Sequence, residues 1–362
     1  MHLSKKELIL SEYILITSGA DADASVLKSG VDMKKRLICY FISCLLSFNL
    51  FANDTYFFTS GGNLRPADDG NTSIQMNEEV IHIVCEPDYY QVTVDFEFKN
   101  PGKETSLSVG FPFFEAGIGG HGKIFDFECW TNGRKEDYKD MLIDRSFSNS
   151  DFDSPKLVNA YVRQITFAEK SVTRTKVSYK SEYGHDDNSR IIKYLYGTGS
   201  SWANKIGKIT VIVENNLPHE FISLQSELWK RIADNKWRAV FYNTEPSYTD
   251  CFTFNAQSIF HDYGPKSFPA YFPYTTKKAS AEQISCYTIN QLRLSRNTIY
   301  ALHGYDFQSP ELKNFFSDWG RYWSEEYKVN PDFSEDDFSE IEKYNIQLFK
   351  SEETRLKSEF AR

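Results

Sequence analysis

Five side chains within residues 292–307, LRLSRNTIYALHGYDF, have the types and spacing to hold an anion. Arg293, Arg296, Asn297, Tyr300 and His303 lie three or four residues apart, so on a helix they line one side. A pair of guanidinium groups can grip a carboxylate bidentately, with an amide, a phenol and an imidazole beside it. On that reading the row forms an aromatic-flanked polar groove for a carboxylate or sugar ligand. The same residues can instead form a buried polar network that ties a small helical unit together. The second reading is the expectation, because three short helices bury too little apolar surface to hold without cross-ties.

Helical periodicity must position this row. Leu292, Ser295/Arg296, Ile299 and Leu302/His303 predict a helix over 290–303. Gly304 follows as a C′ residue free to take positive φ. Ser309, Pro310 and Glu311 announce a second helix as N-cap, first-turn proline and early carboxylate. Leu312, Phe315, Phe316 and Trp319 supply its apolar face. A third helix is expected from Ser334, with Glu335, Asp336 and Asp337 in its first turn and Phe333 stapled to Phe338. Its stripe is Phe338, Ile341, Asn345, Leu348/Phe349 and Glu352. Residues 356–362 read as a charged tail.

Tyr300-Ala301-Leu302-His303-Gly304 matches four of the five name-giving positions of the YARHG domain family, which usually carries Arg where Leu302 stands. The likeness runs through Leu292, Arg293, Arg296, Asn297, Ile299, Tyr305 and Phe307. It continues in Phe315, Phe316, Trp323 and residues 341–346. Residues 287–355 thus resemble that family. The resemblance implies an extracytoplasmic bacterial module, often joined to other exported domains, and no molecular role. Leu302 removes one charge that a ligand would use.

Residues 53–275 read as β structure. In 90–99, Tyr90, Val92, Val94, Phe96 and Phe98 alternate with polar residues, the pattern of a half-buried antiparallel strand. Asn100-Pro101-Gly102 ends it as a turn, and Leu107, Val109, Phe111 and Phe113 alternate next, which predicts a hairpin. Further strands are expected at 81–85, 161–167, 173–182, 208–214, 237–243 and 251–254. Short strands without intervening helices point to an antiparallel β-sandwich, as one elaborate body or two packed lobes. The stretches 94–113, 194–214 and 237–254 resemble a family of exported bacterial domains without an assigned activity. Pro265, Pro269 and Pro273 among aromatics mark the change of pattern, and 276–286 reads as a linker. The expected fold class is mainly β, with a C-terminal three-helix α module.

The body offers only fragments of chemistry. Residues 117–122 are glycine-rich but lack the strand–GxGxxG–helix context and read as a loop. His185-Asp186-Asp187 and His261-Asp262 are lone pairs, and Asp151-Phe152-Asp153 lacks the rest of a calcium loop. Residues 197–202, GTGSSW, read as a turn with a packed Trp. No residue is assigned a catalytic role, and neither a metal nor a cofactor is expected.

Met33-Lys34-Lys35-Arg36, an apolar run over 37–51 and Ala52 have the order of a secretory signal peptide, 33–52. Its apolar run is shorter than the roughly 20 residues of a membrane span. Residues 1–32 then read as a non-native upstream extension. Removing 1–52 takes away six Lys/Arg and five Asp/Glu and leaves a net charge of −10. That balance, without a basic run, excludes a nucleic-acid partner. The remaining Cys85, Cys129, Cys251 and Cys286 are candidate disulfide cysteines in an exported chain, or buried free thiols.

The expectation is an exported protein, periplasmic or extracellular, without a permanent membrane span in the mature chain. Its expected role is non-catalytic binding to cell-wall or envelope components. The alternatives are an envelope-polymer hydrolase with an unrecognised site, and a structural periplasmic subunit.

Overall fold

The computed structural model describes residues 58–61, 65–66, 72–116, 124–145, 156–185, 189–224, 227–247, 250–260, 272–318 and 327–360. These belong to one compact unit, 54–362. The signal segment, the glycine-rich 117–122, Asp151–Asp153, Asp186-Asp187, His261-Asp262, Trp319 and Trp323 lie outside the described residues.

In chain order the strands are β1 (Phe58–Gly61), β2 (Arg65–Pro66), β3 (Gln75–Cys85), β4 (Tyr90–Lys99), β5 (Thr105–Ala116) and β6 (Phe125–Thr131). There follow β7 (Arg134–Glu136), β8 (Lys139–Arg145), β9 (Lys156–Phe167), β10 (Val172–Ser181), β11 (Gly184–His185) and β12 (Ser189–Leu195). The last are β13 (Ile206–Asn215), β14 (Glu220–Ile222), β15 (Lys230–Ala233), β16 (Lys236–Thr244) and β17 (Cys251–Ser258). Among the described residues they form three sheets. The largest runs β15-β16-β13-β3-β4-β10-β6-β7, the second β1-β5-β9-β8 with β2 also on β5, and the third β11-β12-β17-β14.

The alternation in β4 sets the design. Tyr90, Val92, Val94, Phe96 and Phe98 are all buried, and with Ile81, Ile83, Val211 and Val213 they make the inner face of the large sheet. Val109, Phe111 and Phe167 from the second sheet cover part of that face, and Ile192, Tyr194 and Phe254 from the third cover the rest. Rings interlock across the layers, as in Phe98–Phe167 at 5.7 Å and Phe241–Phe252 at 5.5 Å. The body is therefore one sandwich with a single core whose second layer is split into two sheets.

The expected hairpin between β4 and β5 is not formed. β4 pairs with β3 and β10, while β5 pairs with β1, β2 and β9 in the facing layer. The turn at 100–102 is an arch between sheets, and Asn100 explains why. Its Nδ2 donates to the carbonyls of Lys103 (2.8 Å), Phe167 (3.0 Å) and Ala168 (3.0 Å), and its Oδ1 accepts from Gly102 N–H at 2.9 Å. One buried amide thus fastens the β4–β5 arch to the neighbouring β9–β10 arch.

The candidate disulfide cysteines are free thiols. Cys85 on β3 and Cys129 on β6 share a sheet, but β4 and β10 stand between them, roughly 14 Å of sheet. A bridge needs Cα atoms within about 7 Å. Cys251 starts β17 in another sheet, and Cys286 precedes the first helix.

Three α-helices follow among the described residues: α1 (Ile289–Leu302), α2 (Pro310–Ser317) and α3 (Glu340–Phe360). Ser309 stands before α2 without a side-chain capping bond, although Pro310 and Glu311 fill their expected places. Ser334 caps only a 3-10 turn, Glu335–Asp337, after which Phe338 is extended. The third helix opens at Glu340 instead. Its true cap is Ser339, whose Oγ accepts from Glu342 N–H at 3.2 Å while Glu342 Oε2 accepts from Ser339 N–H at 2.8 Å. That reciprocal pair is a capping box, and it shifts the buried stripe to Glu342, Asn345, Phe349, Glu353 and Leu356. The helix continues through Phe360, into the segment expected as a tail. Among the described residues, no helix is long and apolar enough to cross a membrane.

Candidate functional site

α1 is buried almost all round, which follows from its place between the sandwich, α2 and α3. Its start is another capping box. Thr288 Oγ1 accepts from Gln291 N–H at 3.3 Å, and Gln291 Oε1 accepts from Thr288 N–H at 3.0 Å. Gln291 also reaches the body. Its Nε2 donates to the carbonyls of Leu217 (2.9 Å) and Glu220 (2.7 Å) at the β13–β14 turn. Asp234, in the β15–β16 turn, accepts from Ile289 N–H at 2.8 Å. Arg231 on β15 donates to the carbonyls of Ser285 (3.2 Å) and Tyr287 (2.7 Å). Phe221 packs on Tyr287, and His219 packs on Phe315. The first turn of α1 is thus held by side chains and carbonyls of the sandwich.

Below that turn, each of the five row residues meets an internal partner. Arg293 Nη1 donates to both oxygens of Glu311 on α2, at 3.2 and 3.0 Å. Arg296 Nη2 donates to Glu353 on α3 at 3.3 Å. Asn297 donates to the Arg293 carbonyl at 2.8 Å. Tyr300 OH donates to Glu335 in the 3-10 turn at 3.1 Å, and His303 Nε2 meets Glu342 at 3.0 Å. The structure brings all five onto one helix, and each places a polar atom on one of four carboxylates or a backbone carbonyl, while Arg296 Nε is buried with no hydrogen-bond partner among the described residues.

Glu342 and Glu353 are the deepest of those carboxylates, each about 6 % exposed. They lie on the same stripe of α3, three turns apart. Burial alone raises the pKa of Glu342. The bonds from His303 and Ser339 outweigh it and hold the carboxyl below its ordinary range. Glu353 also receives Lys357 Nζ at 2.5 Å. Tyr300 sits among Tyr305, Phe333 and Phe338, and burial with the Glu335 bond raises its phenol. The expected Phe333–Phe338 contact is present at 5.8 Å, across the 3-10 turn.

Gly304 has φ +77 and is buried against the 328–330 segment. Its carbonyl accepts from Asn330 N–H at 2.8 Å, and a Cβ there would lie 2.7 Å from the Lys328 carbonyl oxygen. Leu302, where the family usually has Arg, is exposed. Asn345 on α3 makes a further tie: it donates to Tyr274 O (2.7 Å) and Lys277 O (2.8 Å) and accepts from Ala279 N–H (2.8 Å).

Gln291, Glu342 and Glu353 belong to this network and are not among the residues expected from the sequence. Two had a visible signal. Thr288-x-x-Gln291 and Ser339-x-x-Glu342 are both capping-box patterns. Elsewhere, Trp202 packs on Phe98 at 4.5 Å behind the 3-10 helix Gly197–Ser201. Buried Glu79 accepts from Tyr194 OH at 2.8 Å across the layers. Among the described residues, no group of three or more His, Cys, Asp or Glu is placed to hold a metal.

Residues 270–354 are a YARHG domain by family match, beginning upstream of the 287 read from sequence. No curated protein matches the chain. Among solved structures, a Legionella pneumophila protein provisionally assigned to nutrient binding is 21% identical, over 83% of this chain and 99% of its own, with a TM-score of 0.49. An M1 zinc metallopeptidase from Deinococcus radiodurans is 8% identical over 51% of this chain and 42% of its own, with a TM-score of 0.29. Yeast leukotriene A4 hydrolase is 10% identical over 53% of this chain and 32% of its own, with a TM-score of 0.30.

Proposed function

We propose that this chain is an exported bacterial protein of the binding type, attaching to cell-wall or envelope components in the periplasm or outside the cell. The signal-like order of 33–52, the net negative charge and the YARHG domain support that reading. The observation that carries it furthest is the seating of α1 on the sandwich through Gln291, Asp234 and Arg231. A helical unit fastened in this way extends the rigid surface of the body and does not swing on a tether. Recognition then belongs to the joint surface of sandwich and helices, because each residue of the polar row of α1 is engaged in an internal bond.

The test is retention of the mature chain, residues 53–362, on isolated cell wall and on membrane-envelope fractions. Saturable retention on one of them is expected. It should survive Arg293→Met, which removes the row member paired with the exposed Glu311. Retention on neither fraction overturns the reading. Retention abolished by Arg293→Met in a folded protein returns the ligand site to the α1 row.

A further inference from the structure

The body holds a second polar cluster, away from the helices and between two sheets. Arg163 on β9 faces inward with Ile165 and Phe167 and is only 5% exposed. Its Nε and Nη2 are fully buried and make no hydrogen bond that meets the distance and angle of one among the described residues, the Cys129 sulfur being the polar group beside them. These two atoms form the side of a guanidinium that grips carboxylates and phosphates with two parallel bonds. An inward-facing fork left empty is costly, because a buried cation needs a counter-charge.

Among the described residues no carboxylate pairs with Arg163 directly, and Glu136 acts on it only through space. The guanidinium lies beside the Cys129 thiol on β6, but burial raises that thiol, so it is neutral at pH 7. Cys129 Sγ instead bonds the Glu136 carbonyl at 3.4 Å. The Glu136 carboxylate makes no ion pair with Arg163 among the described residues. Two more unpartnered groups share the face. Thr131 follows Cys129 by two residues, on the same side of β6. It stands opposite Thr175 on β10, and both hydroxyl oxygens are buried without hydrogen-bond partners among the described residues. The cluster lies where β7 and β8 form the outer edges of their sheets. Phe127, Tyr138 and Tyr161 border it, with ring centroids 4.5–5.0 Å apart, and Tyr138 is the exposed member.

We infer that Arg163, Thr131 and Thr175 form an inter-sheet site for a small oxyanion, a carboxylate or a phosphate. The guanidinium fork takes two oxygens, and the threonine hydroxyls donate to the same group. Cys129 shapes the floor as a neutral thiol. The site does not depend on the envelope-binding reading, since it lies in the sandwich and uses none of the α1 row.

The test titrates acetate and inorganic phosphate separately into the mature chain, against sodium chloride at matched ionic strength, and follows thermal unfolding and heat of binding. A saturable response to one of the two is expected, and which one responds identifies the class. Arg163→Lys keeps the charge but loses the fork, and should weaken binding at least tenfold. Thr175→Val should weaken it several-fold while leaving near-ultraviolet circular dichroism unchanged, so the question stays answerable if the Arg163 variant folds poorly. No saturable response to either anion means that water alone satisfies the cluster, and overturns the proposal. Unchanged affinity in folded Arg163→Lys or in Thr175→Val also overturns it.

Discussion

His303 and Glu342 meet at 3.0 Å and join the end of α1 to the first turn of α3. The same carboxylate caps its own helix through Ser339, so one buried group holds two elements at once. The histidine of the signature is therefore the point where α3 is fastened.

This contact has a pH sign. The Glu342 carboxyl sits below its ordinary value of 4.5, because the bonds it accepts outweigh its burial. A carboxyl depressed on folding contributes stability above its unfolded pKa, and that contribution fades as pH falls through the folded value. Glu342→Gln should cost about 2 kcal/mol at pH 7, and the gap from wild type should narrow below about pH 4. Urea midpoints of both proteins at pH 7 and 3.5 measure it. A gap of equal size at both pH values contradicts a role for the carboxylate charge.

Arg293 and Arg296 should differ although they share a row. The Arg293 partner, Glu311, is 68% exposed, and such surface pairs contribute under about 1 kcal/mol. The Arg296 partner, Glu353, is buried, and losing the arginine leaves that carboxylate to Lys357 alone. Arg296→Met should cost about 2–3 kcal/mol and Arg293→Met under 1. Chemical denaturation of the two variants decides, and equal losses would mean that burial of Glu353 is immaterial.

Gly304→Ala should destabilise by about 3 kcal/mol, combining a positive φ with a Cβ pressed on the Lys328 carbonyl. Leu302→Arg, two residues earlier and exposed, should change stability by less than about 0.5 kcal/mol. Thermal unfolding of the pair reads both.

Asn100→Asp should be worse than Asn100→Ala. Alanine removes the three donated bonds at the double arch, about 3 kcal/mol. Aspartate keeps the size but turns an oxygen toward carbonyls that had a donor. Denaturation midpoints in the order wild type, Ala, Asp are expected, and Asp above Ala would contradict the bonding geometry.

Much of this was legible in local pattern. The strict alternation of 90–99 named five residues that are all buried, and the 3–4 spacing of 290–303 placed α1 within one residue of its limits. Strand partners were not legible, because alternation says which face is buried and nothing about which strand lies alongside. The hairpin expected from Asn100-Pro101-Gly102 became an arch only through bonds to Phe167 and Ala168, 67 and 68 residues away. The start of α3 was misplaced because Ser334 and Ser339 both precede acidic residues, and only Ser339 carries a Glu three positions on. The spacing of the α1 row shows which residues share a side but not what they bond, since Glu311, Glu335, Glu342 and Glu353 look like ordinary solvated acids. Arg163 gave no signal, being one charged residue in a strand of mixed pattern.

The YARHG helix and the sandwich form one stable unit, coupled through Gln291. Native-state hydrogen exchange of the α1 amides, compared with those of β13, tests it most directly. In the wild type both sets should open with the same free energy, and in Gln291→Ala the α1 amides should open first while β13 stays protected. Wild-type α1 amides that open several kcal/mol more easily than β13 would contradict the coupling and leave the helices as an independent module.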